Sequence, residues 1–296
     1  MMAQQFTHPD GRNIDYQIYG AKDGFPLIWI HGTPGAYMPY QGLVVTCEKK
    51  GIKLISLSRA GFGGSTRQKG RRVVDLVADI QALNKHLGVE KCLVGGRSGG
   101  GPHALACAAR LPNCVAALCL SGVVPWNSEG IDFLAGQGQS NIDEINAALQ
   151  GEDELEKFCK AMRLEILKAD VTSIMAGMTS LLPEVDKEAL TKNTEMGRFL
   201  VDTVNESLKI GCDGWVDDDL AFINPWGFEL NEIKVPVILY HGSEDKLAPY
   251  AHGEWLAKDL PQKFLRKHLV QGEGHLSLFL ERTDDMIGEL LEIAKL

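Results

Sequence analysis

The sequence predicts an α/β fold: a mostly parallel, doubly wound sheet with an all-helical segment inserted into it. Three observations carry this. Short apolar runs bounded by glycine alternate with helix-spaced segments over residues 1–125. The alternation then gives way to amphipathic helical patterns and resumes at residue 229. The chain has 296 residues, 45% apolar and 23% charged, which is the composition of a globular protein with a well-filled core.

Taken in order, Phe6 to Tyr19 reads as a hairpin turning at Pro9-Asp10-Gly11. Leu27 to Ile30 and Lys53 to Leu57 have the look of buried strands. Val73, Val77, Ile80, Leu83 and Leu87 recur at helical spacing, with Asp75, Asp79 and Lys85 on other faces, and Gly88 ends that helix. Cys92 to Gly95 is a strand, Pro102 to Arg110 a helix and Val115 to Val124 a strand. From Trp126 to Phe228 the pattern is helical in pieces, such as Asp143 to Lys168 and Thr194 to Ile210. Val235 to Tyr240 and Phe264 to Val270 restart the sheet, and Leu276 to Leu296 is a closing helix. A helical block between two strands of one sheet is an insertion rather than a tandem domain. The expected division is therefore a core of residues 1–125 and 229–296 and a helical cap of residues 126–228.

A net charge of −9 and a pI near 5.4 argue against a nucleic-acid partner, because phosphate binding needs clustered Lys and Arg. The compact basic cluster from Arg67 to Arg72 reads as a solvated loop. The N-terminus shows no cationic segment followed by an apolar one. No apolar run approaches the ~18 residues of a membrane span, so no membrane partner is expected. The cysteine count is odd, at seven. Cys92, Cys107, Cys114 and Cys119 lie in apolar segments without metal-ligand spacing, which implies buried reduced thiols, a cytoplasmic protein and no metal. Oligomeric state is not legible.

Gly96-Arg97-Ser98-Gly99-Gly100 lies between a buried strand and a helix. In that context G-x-S-x-G is a nucleophile turn: small neighbours at Gly96 and Gly100 let the chain close sharply, and the helix directs its N–H groups at the site. A serine hydroxyl needs a base, and the base needs an orienting acid. With a nucleophile of this kind the acid follows in the chain and the base comes last. His241-Gly242-Ser243-Glu244-Asp245 follows one strand and Gln271-Gly272-Glu273-Gly274-His275 follows the next. Both loops lie at carboxyl ends of strands, where open parallel sheets bind ligands. Ser98, Asp245 and His275 form the expected triad, with Glu244 the rival acid.

His31-Gly32-Thr33-Pro34-Gly35 follows the first parallel strand and suits a turn that offers a backbone N–H. The N–H groups of Thr33 and Gly99 are the expected oxyanion donors, each worth ~3 kcal/mol to a transition state, with His31 bracing the turn. Together these four segments resemble the α/β-hydrolase fold family. The resemblance implies an eight-stranded sheet and a cap between the sixth and seventh strands. Ser98 departs from the Asp of epoxide hydrolases and haloalkane dehalogenases. Thr33 and Gly99 depart from the pattern of proline iminopeptidases.

The activity expected is acyl transfer to water on a small-molecule substrate, an ester or lactone foremost, with no organic cofactor. Aminopeptidase, C–C hydrolase, acyltransferase and perhydrolase chemistry are alternatives, as is a receptor that retains the triad. Arg97 is read either as an attractor of anionic substrate or as one partner of an ion pair. Met175, Met178 and Trp215 are the expected apolar lining contributed by the cap.

Overall fold

Eight strands form one sheet: β1 (Gln4–Thr7), β2 (Asn13–Gly20), β3 (Phe25–Ile30), β4 (Ile52–Leu57), β5 (Cys92–Arg97), β6 (Cys114–Leu120), β7 (Val237–Gly242) and β8 (Leu265–Val270). The computed structural model describes residues 3–168, 172 and 182–295. Strand order is β1-β2-β4-β3-β5-β6-β7-β8. The β1–β2 and β2–β4 pairs are antiparallel and every later pair is parallel.

The described helices are α1 (Gln41–Lys49), α2 (Leu76–Leu87), α3 (Gly100–Arg110), α4 (Gln139–Gln150), α5 (Glu152–Ile166), α6 (Glu184–Lys192), α7 (Thr194–Leu208), α8 (Asp213–Ile223), α9 (Tyr250–Asp259) and α10 (Ser277–Ile293). Alternation along the strands divides the core between the two faces of the sheet. Ile28 and Ile30 point into one cluster with residues of α2 and α3. Leu27 and Trp29 point into the other with Leu43, Phe279 and Ile287. Helices α4 to α8 lie between β6 and β7 in the chain. Among the described residues no helix is long and apolar enough to cross a membrane.

Three departures from the sequence reading have a local reason. The strand expected to reach Val124 ends at Leu120, because Ser121 takes a left-handed φ of 47° and turns the chain out of the sheet. The helical stretch from Asp143 to Lys168 is two helices, split where Gly151 adopts φ 111°. Helix α1 escaped the reading because Val44, Val45 and Thr46 form a β-branched run that masks its helical spacing.

Candidate active site

Strand β5 delivers Ser98 to the carboxyl edge of the sheet. Its φ of 55° is left-handed, a costly conformation for a residue with a Cβ. The surroundings impose it. Ser98 N–H donates to Leu120 O at 2.9 Å, and Ser98 O accepts from Gly101 N–H at 2.8 Å. A Cβ on Gly96 would strike the Gly100 carbonyl oxygen, and one on Gly100 would strike that of Ile30. The glycines of the motif are thus steric requirements of a tight crossing between strand and helix.

Asp245 and His275 come together from the loops after β7 and β8. His275 Nδ1 donates to Asp245 Oδ2 at 2.7 Å, with both side chains buried. Asp245 Oδ1 accepts the N–H groups of Leu247 and Ala248, each at 2.9 Å. Burial alone would raise the carboxyl's pKa. The charge and hydrogen bond of His275, helped by His241 and Ala248, outweigh it and hold Asp245 below the usual range. Glu244 instead accepts from Ser243 Oγ at 3.1 Å. Among the described residues no hydrogen bond joins Ser98 Oγ to His275. Such bonds commonly tighten only when substrate arrives.

Ser98, Gly99 and Thr33 share one cavity of about 140 Å³. A Cβ on Gly99 would run into Thr33 Oγ1, so the Thr33 side chain packs against the Gly99 backbone beside the serine. His31 braces the turn: its Nε2 accepts Arg59 N–H at 3.0 Å and its Nδ1 donates to Gly32 O at 2.7 Å. Burial, then the neighbouring Arg59 charge, push the His31 pKa well below its ordinary value, so the ring is neutral as that pattern requires.

The helical segment supplies groups that the sequence reading missed. Thr33 Oγ1 donates to Asp218 Oδ2 at 2.6 Å and accepts from Arg59 Nη2 at 2.9 Å. Asp218 also pairs with Arg59 and, at 2.6 Å, with Arg71. Burial would raise the Asp218 pKa, but the Arg59 and Arg71 guanidiniums hold it well below the carboxylate range. The basic cluster is therefore a solvated loop only in part, at the exposed Lys69 and Arg72. Arg71 is buried on Asp218, and Arg67 binds Asp217 at 2.9 Å and Glu152 at 3.0 Å. Asp217, Asp218 and Asp219 are consecutive in helix α8. All three are buried.

The expected substrate contacts fare differently. Trp215 does not line the cavity. It packs with Phe62, Leu155, Leu208 and Val216, and its Nε1 donates to Glu144 at 2.6 Å. Its ring fills a buried cluster with residues of neighbouring helices instead of a pocket wall. Glu144 and Asp219 line the cavity instead, within hydrogen-bonding reach of each other. Burial raises the pKa of both, and for Asp219 the Glu144 charge adds to it, so the pair favours holding a proton. Arg97 also lies off the cavity lining and makes no ion pair among the described residues. Its guanidinium sits 5.4 Å from the Phe279 ring centroid, and burial lowers its pKa to about 10 against the opposing pull of Asp245 and Asp186. Met175 and Met178 lie outside the described residues.

A family model for the alpha/beta hydrolase fold matches residues 26–154. An enol-lactonase structure from Burkholderia xenovorans superposes with a TM-score of 0.68 at 17% identity, covering 99% of this chain and 100% of its own. The chain has the alpha/beta hydrolase fold. Curated proteins align with it over most of its length. A proline iminopeptidase of Neisseria gonorrhoeae is 26% identical over 94% of this chain and 93% of its own. A bifunctional esterase/perhydrolase of Acinetobacter calcoaceticus is 24% identical over 82% and 83%.

Proposed function

We propose that this alpha/beta hydrolase is a serine hydrolase that cleaves small-molecule carboxylic esters through a Ser98–His275–Asp245 triad. The observation that carries the reading is a left-handed serine at a strand-to-helix turn, opening on a cavity beside Thr33 and Gly99, with a buried His275–Asp245 pair supplied by the adjoining loops. As Ser98 Oγ bonds to the acyl carbon, its proton passes to His275 Nε2, and Asp245 stabilises the resulting imidazolium. The carbonyl electrons move onto oxygen, where the N–H groups of Thr33 and Gly99 receive them. Collapse expels the alcohol, which takes the proton from His275. Water repeats the sequence on the acyl-enzyme and releases the acid. The helices between β6 and β7 act as a cap over the cleft.

Glu144 and Asp219 favour one second reading. A proton-sharing carboxyl pair facing the nucleophile carries net negative charge and would attract an amine, as an aminopeptidase requires. Turnover of a short p-nitrophenyl ester against a proline anilide separates the two. The test common to both is fluorophosphonate labelling. Wild type is labelled at Ser98, while Ser98→Ala loses labelling and about 10³-fold or more of turnover. Labelling elsewhere, or unchanged turnover, would overturn the assignment.

A further inference from the structure

Helix α10 begins immediately after His275, and its first N–H groups have no partners within the helix. No local side chain caps it: Leu276 occupies the cap position. The missing cap arrives from the helical insertion, some ninety residues away in sequence. Asp186 Oδ2 accepts His275 N–H at 2.9 Å, and its Oδ1 accepts Leu276 N–H at 3.0 Å and Ser277 N–H at 2.8 Å. The carboxylate is wholly buried. It sits in the first turn of its own helix α6 as well, so two helix N-termini converge on one negative charge. Gly274 is shaped to this contact, since a Cβ there would collide with the Asp186 carboxyl group.

We infer that Asp186 is a positioning residue for the reaction: it fixes the backbone of His275, and through it the imidazole, from the insertion rather than from the core. The inference rests on the triad reading above. Anchoring the insertion does not by itself call for this arrangement. Leu182, Leu190 and Met196 already pack with Leu276, Leu278 and Phe279 in one buried cluster. What three charge-assisted hydrogen bonds to consecutive amides add is directional control of a single short segment. That segment carries the base, so the loop backbone, together with the bond to Asp245, sets the angle at which the imidazole approaches Ser98.

The experiment compares wild type with Asp186→Asn and Gly274→Ala. The first removes the charge and part of the accepting capacity, and the second pushes the carboxylate aside without removing it. Each is assayed for kcat and KM on p-nitrophenyl acetate, for the rate of labelling by a small fluorophosphonate, and for native circular dichroism. The expected result is a loss of kcat of about 10²-fold with KM nearly unchanged, the cost of misplacing a catalytic group by about an ångström. Labelling should slow by a similar factor, because the probe also depends on His275. The double variant should lose little more than either single one, since both act on one contact. A folded Asp186→Asn with wild-type kcat and labelling rate overturns the inference, as does a loss confined to KM. If Asp186→Asn does not fold, Gly274→Ala decides by the same criteria. If wild type itself is not labelled at Ser98, the triad reading has failed and not merely the role of Asp186.

Discussion

Replacing Asp218 by asparagine removes the negative charge that lies between two buried guanidiniums. Asp218 is 0% exposed, Arg59 1% and Arg71 6%, so water cannot substitute for the lost carboxylate. Breaking a buried ion pair from one side typically costs about 3–5 kcal/mol, because the remaining charge is stranded. Two guanidiniums are stranded here, so the upper part of that range applies. In a chain of this size each kcal/mol lowers Tm by about 2–4 °C, which gives a fall of about 10 °C or more. Acid should act similarly on the wild type. The Asp218 pKa is depressed in the folded protein, so its contribution is present above the ordinary carboxylate range and is lost as pH falls through the folded value. Asp218→Asn lacks this contribution at every pH and should lose correspondingly less on acidification. Function should change too, because Thr33 Oγ1 bridges Asp218 and Arg59, and a loosened turn misdirects its N–H. Urea denaturation across a pH series, with phosphonate labelling of the folded variant, measures both effects. A variant within about 1 kcal/mol of wild type that labels at the wild-type rate would refute the reasoning. Replacing Arg59, Arg71 and Asp218 together by apolar residues should be milder than Asp218→Asn alone, since no charge is then stranded.

Two further outcomes are expected. Asp245→Asn should keep the fold and lower kcat by up to about 10⁴-fold, through the wrong imidazole tautomer, whereas Glu244→Gln should change it little; steady-state kinetics on one ester reads the contrast, and the reverse order would move the acid by one residue. Glu144 and Asp219 have raised pKa values, so the stability of their protonated arrangement is full at low pH and is lost as pH rises through the folded values. Glu144→Gln keeps an acceptor for Trp215 and removes one ionisation, so its Tm should decline less than that of wild type as pH rises; parallel declines would show that the pair does not share a proton.

The sequence by itself determined the sheet and the local turns on which the candidate site is built. Alternating apolar residues fix which strand faces are buried, and the glycines around Ser98 fix a crossing that larger residues would obstruct. These are short-range constraints, set by neighbours within a few positions, and they can be read from spacing. The pairing of His275 with Asp245 was legible for a related reason: both follow parallel strands that end at the same edge of one sheet.

What only the tertiary structure decided is how the helical insertion meets that edge. Asp186 reaches the amides after His275, and Asp218 reaches Thr33 and two arginines. Glu144 and Asp219 take the cavity wall expected of Trp215, which turns into the core between helices. None of these contacts has a periodicity or a motif, because each joins residues far apart in the chain whose meeting depends on the packing of whole helices. An acidic residue on an amphipathic helix looks solvent-facing until the partner that buries it is known. Burial without compensation is so costly that the finished fold supplies a guanidinium, a row of amides or a shared proton at each such carboxylate.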